Sequence, residues 1–111
     1  MLSTETVDDV LIIKVEEKRL DAHRAPTFKD KVGGLIEKGA SRLVLDLHLV
    51  EFVDSSGLGA IVSCLKRLGP TGNLVIVGAN LPVRRLFALT RMDRVFSMHD
   101  TTDAAIVSLN S

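Results

Sequence analysis

The short segment 54–59 carries the residues of this chain that are best suited to chemistry. It reads Asp54-Ser55-Ser56-Gly57-Leu58-Gly59. It follows two apolar strand-like runs and opens a helix whose apolar residues repeat at helical spacing. The free N–H groups and the dipole of a helix N-terminus favour negative charge. A phosphate on a serine hydroxyl in this segment would therefore be tolerated by the local structure.

Two nucleotide-binding patterns were compared with this segment, and neither fits. Gly57-Leu58-Gly59 after a strand resembles the start of a dinucleotide-binding loop, but the third glycine position is Val62. No acidic residue lies about 20 positions further on, where the ribose contact would be. The chain also has no phosphate-binding loop containing Gly-Lys-Ser/Thr. We therefore predict no cofactor.

Hydrolysis and metal binding are also poorly supported by the residue pattern. A serine hydrolase needs a nucleophile, an imidazole base and an orienting acid, and the segment around Ser55 is not Gly-x-Ser-x-Gly. The candidate bases His23, His48 and His99 lie in no recognisable motif and lack metal-ligand spacing. We expect no catalysis and no metal site, and we interpret the histidines as surface or loop residues.

Composition and length bound the class of protein. The chain has 111 residues, which predicts a single domain over 1–111. Apolar residues make up 46%, enough to bury a core without a metal or a disulfide. Aromatic residues make up only 4%, which argues against a stacking surface for single-stranded nucleic acid. The net charge is zero, so no overall field attracts DNA or a membrane.

The single cysteine and the absence of a long apolar run suggest a compartment. Cys64 excludes an internal disulfide and fits a reducing environment. It falls within the amphipathic helix, so we predict a structural thiol. No apolar run reaches membrane-spanning length, and no charged-then-apolar leader is visible. The sequence therefore predicts a cytoplasmic protein with no membrane insertion.

Strand-like and helix-like segments alternate along the chain, which predicts a largely parallel sheet with helices between the strands. The first helix is expected to stop at Gly39. Because glycine weakens a helix, a break at Gly33-Gly34 is kept as an alternative. The predicted strands are 3–7, 10–15, 43–47, 74–77 and 95–98, and the predicted helices begin near Pro26, Gly57, Asn80 and Asp100 or Thr101. The side chains expected in the core include Leu11, Ile13, Leu43, Leu45, Leu58, Ile61, Val62, Leu65, Val75, Val77, Val83, Leu86, Phe87, Leu89, Ala105, Ile106 and Leu109.

These residues carry a resemblance to a known family. The run from Leu45-Asp46-Leu47 through Asp54-Ser55-Ser56-Gly57-Leu58-Gly59 resembles the bacterial anti-anti-sigma factors, small proteins made of one STAS domain. Leu20-Asp21 resembles the early Leu-Asp segment of the family. The segments 82–87 and 93–96 resemble its late helix and final strand, so the resemblance extends along nearly the whole chain.

The resemblance implies a fold and a role. The fold is a mixed, mostly parallel β-sheet with an antiparallel edge hairpin and about four α-helices packed mainly on one side. In the family's role, the unphosphorylated protein binds an anti-sigma factor that is also a serine kinase, and the sigma factor is released. The kinase then phosphorylates a loop serine and the pair separates. A metal-dependent serine phosphatase resets the switch.

Carried onto this chain, the resemblance makes Ser55 the phosphoacceptor. Two roles are kept for each aspartate. Asp54 is either a turn or capping residue or a direct partner contact. Asp21 either lies near Ser55 or caps a helix. Ser56 is favoured as an N-cap or turn hydroxyl over a second phosphosite. Gly57 is expected to supply a positive φ or close approach by a partner. Gly59, Ala60 and Ser63 form a face of small residues that a partner helix could approach. The expected partner-binding residues are Asp21, Asp54, Ser55, Ser56, Gly57, Gly59, Ala60 and Ser63.

The chain departs from the family pattern in two places. Charged residues at 16–19 stand where the family often has glycine, which changes the charge beside the expected interface. The helix after Pro82 lacks its usual terminal glycine, and Arg91 in a left-handed cap would cost about 1 kcal/mol, so a different cap is expected. A non-switching STAS scaffold subunit of a transporter or signalling assembly remains the alternative function, and a serine hydrolase a remote one.

Overall fold

The structure, a computed structural model, describes residues 1–110. Strands and helices alternate as the sequence predicts. The strands are β1 (Leu2–Val7), β2 (Val10–Val15), β3 (Arg19–Leu20), β4 (Arg42–Asp46), β5 (Phe52–Val53), β6 (Asn73–Val77) and β7 (Met98–His99). The helices are α1 (Ala25–Glu37), α2 (Ser55–Leu68), α3 (Leu81–Leu89) and α4 (Thr102–Asn110).

Five strands form one mixed sheet in the order β1-β2-β4-β6-β7. Strands β1 and β2 pair antiparallel, and the remaining neighbours pair parallel. Asp8 and Asp9, at φ 48° and 70°, form the tight turn of the edge hairpin. The predicted mixed sheet with an antiparallel edge hairpin is therefore confirmed. The short parallel pair β3–β5, which joins Leu20 to Val53, was not predicted.

The two faces of the sheet are covered unequally. Ile13, Leu45 and Ile76 belong to the main core, to which α1, α2 and α3 contribute. The residues that precede them, Ile12, Val44 and Val75, belong to a smaller cluster with Ala105 of α4. Three helices thus lie on one face and one on the other, as the prediction of helices mainly on one side requires. Of the predicted core strand residues, Leu11 is only partly buried.

Helix α1 is continuous, so the break considered at Gly33-Gly34 does not occur. Gly33 is buried against the guanidinium of Arg67 on α2, which a Cβ would overlap. Arg67 in turn forms an ion pair with Glu37. The helix ends at Glu37, just before Gly39 at φ 111°. The glycine that weakens α1 locally is therefore compensated by close packing of α1 on α2.

The C-terminal third contains three corrections. Leu89, expected in the core, is 84% exposed because α3 turns Val83 and Phe87 inward instead. Arg91 does adopt the left-handed conformation, at φ 62° and ψ 17°. The strand predicted at 95–98 is Met98–His99. Phe96 is buried edge-to-face on Phe87, with ring centroids 5.8 Å apart, so the segment before β7 packs as irregular backbone.

Candidate functional site

The serine-rich segment begins helix α2, and Asp54 is its N-cap. Asp54 is extended, at φ −100° and ψ −175°, and its Oδ1 accepts a hydrogen bond from the Gly57 N–H at 2.9 Å. Its carbonyl accepts the Leu58 N–H, also at 2.9 Å. The prediction of Ser56 as the cap is wrong, and the helix begins at Ser55 rather than Gly57. Ser55 and Ser56 occupy the first two helical positions.

The second carboxylate oxygen of Asp54 ties this segment to a distant loop. Asp54 Oδ2 accepts the Ala22 N–H at 3.2 Å, and the Asp54 N–H donates to the Leu20 carbonyl at 3.3 Å. Ala22 lies in the loop between β3 and α1, 32 residues earlier in the chain. The two oxygens of one side chain therefore fix the start of α2 and the loop beside it.

Gly57 allows the same two segments to come close. A Cβ at Gly57 would overlap the carbonyl oxygen of Leu20 and lie 2.9 Å from its carbonyl carbon. Gly57 does not have a positive φ; the glycines that do are Gly39, Gly69 and Gly78. The expectation of a positive φ at Gly57 is therefore wrong. The backbone that lies against Gly57 belongs to this chain, and close approach by a partner there stays a prediction.

Ser55 and Ser56 are both exposed, but they open onto different grooves. Within residues 1–110, neither hydroxyl has a hydrogen-bond partner. Ser55 lines a groove of about 430 Å³ between α2 and α3, named here the α2/α3 groove. Ser56 lines a groove of about 490 Å³ between α1 and α2, named here the α1/α2 groove. The segment therefore presents two hydroxyls on two flanks of one helix.

The small residues of α2 lie between these grooves. Gly59 is exposed and Ser63 half-buried, and both line the α1/α2 and the α2/α3 groove. Ala60 is only 5% exposed and forms part of the main core, although it also lines the α1/α2 groove. The expected small-residue face therefore exists at Gly59 and Ser63, with Ala60 below it.

Asp21 caps its own loop and shares no hydrogen bond with Ser55. Its Oδ1 accepts the N–H groups of His23 and Arg24, each at 3.2 Å, and its Oδ2 accepts Arg19 Nε at 3.3 Å. Partial burial alone would raise the pKa of Asp21. Hydrogen bonds from the Arg24 amide and the Arg19 side chain lower the pKa by more, so it stays below its ordinary value. Asp21 thus orders the loop that Asp54 holds, and it lies between Leu20, which pairs with Val53, and Ala22, which donates to Asp54. The capping role is observed, and Asp21 also lies beside the start of α2.

The other reactive side chains of residues 1–110 lie apart from the two serines that begin α2. His48 Nδ1 lies 2.6 Å from Asp46 Oδ1, a pair that the sequence reasoning missed although the two residues are two positions apart. None of the three serines of α2, which are Ser55, Ser56 and Ser63, hydrogen-bonds to a histidine within residues 1–110. Burial raises the pKa of the Cys64 thiol to about 11, as befits a structural cysteine. No group of three metal-ligating side chains occurs within residues 1–110.

Comparison with known families decides what this arrangement is. The pattern of the STAS domain family matches residues 1–105, which contain both grooves and the whole α2 segment. The chain belongs to the STAS domain family. None of the helices described in this STAS domain is long and apolar enough to cross a membrane.

Relatives of this STAS domain share its length as well as its pattern. A Thermotoga maritima protein, provisionally named an anti-sigma factor antagonist, is 35% identical over 96% of this chain and 95% of its own. The anti-sigma-B factor antagonist of Staphylococcus epidermidis is 29% identical over 92% and 94%. A crystal structure of an anti-sigma factor antagonist from Mycobacterium paratuberculosis superposes with a TM-score of 0.91 at 27% identity, covering 100% and 94%.

Several residues that shape the site of this STAS domain were not found from its sequence. Leu20 and Ala22 supply backbone groups to Gly57 and Asp54, and backbone groups leave no residue-type signal. Lys66, Thr90 and Met92 line the α2/α3 groove because α3 packs beside α2. Their place in the groove depends on a helix–helix contact that no local pattern specifies.

Proposed function

We propose that this STAS domain is an anti-sigma factor antagonist that acts as a phosphorylation switch in the cytoplasm. Its unphosphorylated form binds an anti-sigma factor that is also a serine kinase, which releases the sigma factor. Phosphorylation of Ser55 ends the binding, and a metal-dependent serine phosphatase restores it. The domain itself catalyses no reaction and binds no nucleic acid in this role.

The observation that carries the proposal is the exposed, unpartnered hydroxyl of Ser55 at the first position of α2. A kinase can reach this oxygen without unfolding the helix, because the cap is formed by Asp54 and not by either serine. The names of the relatives support the choice of an anti-sigma factor as the partner. The exposed neighbours Ser56 and Gly59 extend the proposed contact surface on both sides.

The electrostatics of the helix end explain how a phosphate acts on the partner more than on the fold. A phosphoserine adds about −1.5 to −2 charges at neutral pH. The first N–H groups of α2 and its dipole attract this charge within the domain. The carboxylate of Asp54 already accepts hydrogen bonds from the Gly57 and Ala22 N–H groups, which offset part of its repulsion of a phosphate. A partner docked on Ser55 lacks these compensations, so the phosphate weakens the complex and leaves the domain folded.

The test is to incubate the purified domain with its cognate anti-sigma factor kinase and Mg-ATP, and to locate the phosphate by mass spectrometry. Ser55→Ala and Ser56→Ala form a matched pair, since both remove one exposed hydroxyl from the same helix turn. We expect the Ser56→Ala variant to be phosphorylated at Ser55, and the Ser55→Ala variant to bind the kinase but accept no phosphate.

The binding of the phosphorylated domain is then measured by calorimetric titration against the kinase. We expect a loss of about a hundredfold, which corresponds to about 2.7 kcal/mol. A single like-charge contact that is shielded from solvent is enough to produce such a loss. Phosphate on Ser56 alone, or undiminished binding by the Ser55-phosphorylated domain, would contradict the proposed switch.

A further inference from the structure

We propose that a separate cavity, between the end of the first hairpin and helix α1, binds a small amphiphilic carboxylate. The cavity has a volume of about 270 Å³ and lies outside both grooves of α2. None of the residues that line it belongs to α2 or α3. The proposal therefore does not depend on the proposed switch.

The floor of the cavity is apolar and already packed. Val15, Leu20 and Phe28 line it from β2, β3 and α1, and each is at most 4% exposed. The half-buried Leu2 of β1 closes one side. Such a floor has few polar groups to satisfy, so it favours the alkyl or aryl body of a ligand. The rigid packing below it also keeps the cavity from collapsing.

The rim of the cavity carries a net positive charge from its side chains. The side chains at the rim include two cations, Arg24 and Lys31, and one carboxylate, Glu17. Arg24 Nε donates to Glu17 at 3.1 Å, and Arg24 also pairs with Asp21. Lys31 has no ion pair among residues 1–110, so it is the cation available to a ligand. One anionic group at the rim, above an apolar body, matches this distribution of charge.

The size and lining of the cavity restrict the class of ligand. A volume of about 270 Å³ is at the small end of the range for ligand pockets, roughly 300–1,000 Å³. Phe28 is 4% exposed and offers no face on which a base could stack, and the other ring of the lining, His23, is exposed to solvent. A nucleotide is therefore a poor match, and a carboxylate with a short alkyl chain is a good one.

The experiment titrates octanoate into the full, isotopically labelled domain and follows the backbone N–H resonances by NMR. We expect saturable shifts centred on Val15, Leu20 and Phe28, with half-saturation at about 0.1–1 mM for a ligand of this size. The uncharged 1-octanol and the cationic octylammonium have the same chain and test the charge requirement. Octanoate should bind best, octanol less well and octylammonium least.

Two rim variants and one control locate the binding. Lys31→Gln should weaken octanoate binding about fivefold, as expected for one charge-assisted contact at an exposed rim. Thr27→Glu places a carboxylate at the same rim on an exposed position and should abolish it. Lys29→Gln makes the same charge change on the same helix, but Lys29 lines the α1/α2 groove and should have no effect. The dispersion of the NMR spectra confirms that each variant is folded.

Three results would overturn the proposal. One is the absence of saturable shifts up to 5 mM octanoate, about five times the weakest expected half-saturation. Another is equal binding of octylammonium and octanoate, since the charge of the rim would then be irrelevant. The third is a set of shifts centred on the α1/α2 or α2/α3 groove instead of on this cavity.

Discussion

Ser55 and Ser56 are adjacent, exposed and chemically identical, yet they belong to two different surfaces of the molecule. Ser55 lines the α2/α3 groove with Lys66, Thr90 and Met92. Ser56 lines the α1/α2 groove, whose opposite wall carries Lys29 and other residues of α1. The separation follows from helical geometry, because successive side chains of an α-helix point about 100° apart.

This difference shows why the identity of the residue alone does not define a switch. The cap that orders both serines is the same Asp54, and neither hydroxyl is engaged within the described part of the chain. The two serines differ in the groove that each one lines. A partner must occupy the groove beside a serine for a charge on that serine to weaken its binding. The comparison can therefore be tested by substitutions on one flank of α2, or at the residues that hold the start of α2 in place.

The largest expected contrast is in partner binding by charge variants of the two serines. Ser55→Glu should weaken binding of the cognate anti-sigma factor about a hundredfold, or about 2.7 kcal/mol. Ser56→Glu should weaken it less than about tenfold, since its charge faces the α1/α2 groove. Calorimetric titration of both variants measures the contrast. Equal losses would show that the partner approaches the two serines equally closely, and would remove the distinction.

The next contrast compares two glycines of the same helix. Gly57→Ala should destabilise the fold by about 1–3 kcal/mol, because the new methyl group overlaps the Leu20 carbonyl. Gly59→Ala meets nothing within 4 Å and should stabilise α2 by up to about 1 kcal/mol. Urea denaturation of both variants gives the two free energies of unfolding. Destabilisation of similar size in the two variants would mean that the overlap with the Leu20 carbonyl does not set the cost.

A smaller effect is expected from the cap shared by the two serines. Asp54→Ala removes the acceptor of the Gly57 and Ala22 N–H groups and should cost about 1–2 kcal/mol. Asp54→Asn keeps one side-chain oxygen and should cost less. Ser56→Ala, which removes no described hydrogen bond, should change the unfolding free energy by under about 0.5 kcal/mol. A large cost for Ser56→Ala in thermal or urea unfolding would restore Ser56 as a cap.

The smallest effect at neutral pH is expected from Cys64, on the buried side of α2. Burial raises its pKa from 9.0 to about 11 in the folded state. The unfolded chain therefore loses this proton first, so stability is unaffected below about pH 9 and falls between about pH 9 and 11. Thiol labelling with a disulfide reagent at pH 8 should follow unfolding. Rapid labelling of the folded domain would show that Cys64 is accessible.

Much of the fold followed from local signals. The first two strands, the start of α3 near Asn80 and the parallel strands around Leu45 were all predicted from residue type and spacing. The segment that begins α2 was also located correctly. These features depend on contacts between residues close in the sequence, or on strands whose apolar pattern is strong.

The errors share a physical cause, which is a contact with a distant part of the chain. Ser56 was favoured as a cap or turn hydroxyl beside Asp54, but it is Asp54 that caps α2, and the Ala22 N–H also holds it there. Gly57 was expected to allow a positive φ or close approach by a partner, whereas within this chain it makes room for the Leu20 carbonyl. Leu89 was placed inside, but the packing of Phe87 on Phe96 fixes the rotation of α3 and leaves it outside.

The order of the strands has a consequence for how the domain is made. The five strands of the sheet lie side by side in the order in which they leave the ribosome, so each new strand is added at the same growing edge. The contacts of Asp54 and Gly57 join residues 20–22 to 54–57 and need nothing that follows them in the chain. The Ser56 flank of α2 is therefore completed during synthesis before the Ser55 flank, which waits for α3 to be translated and packed.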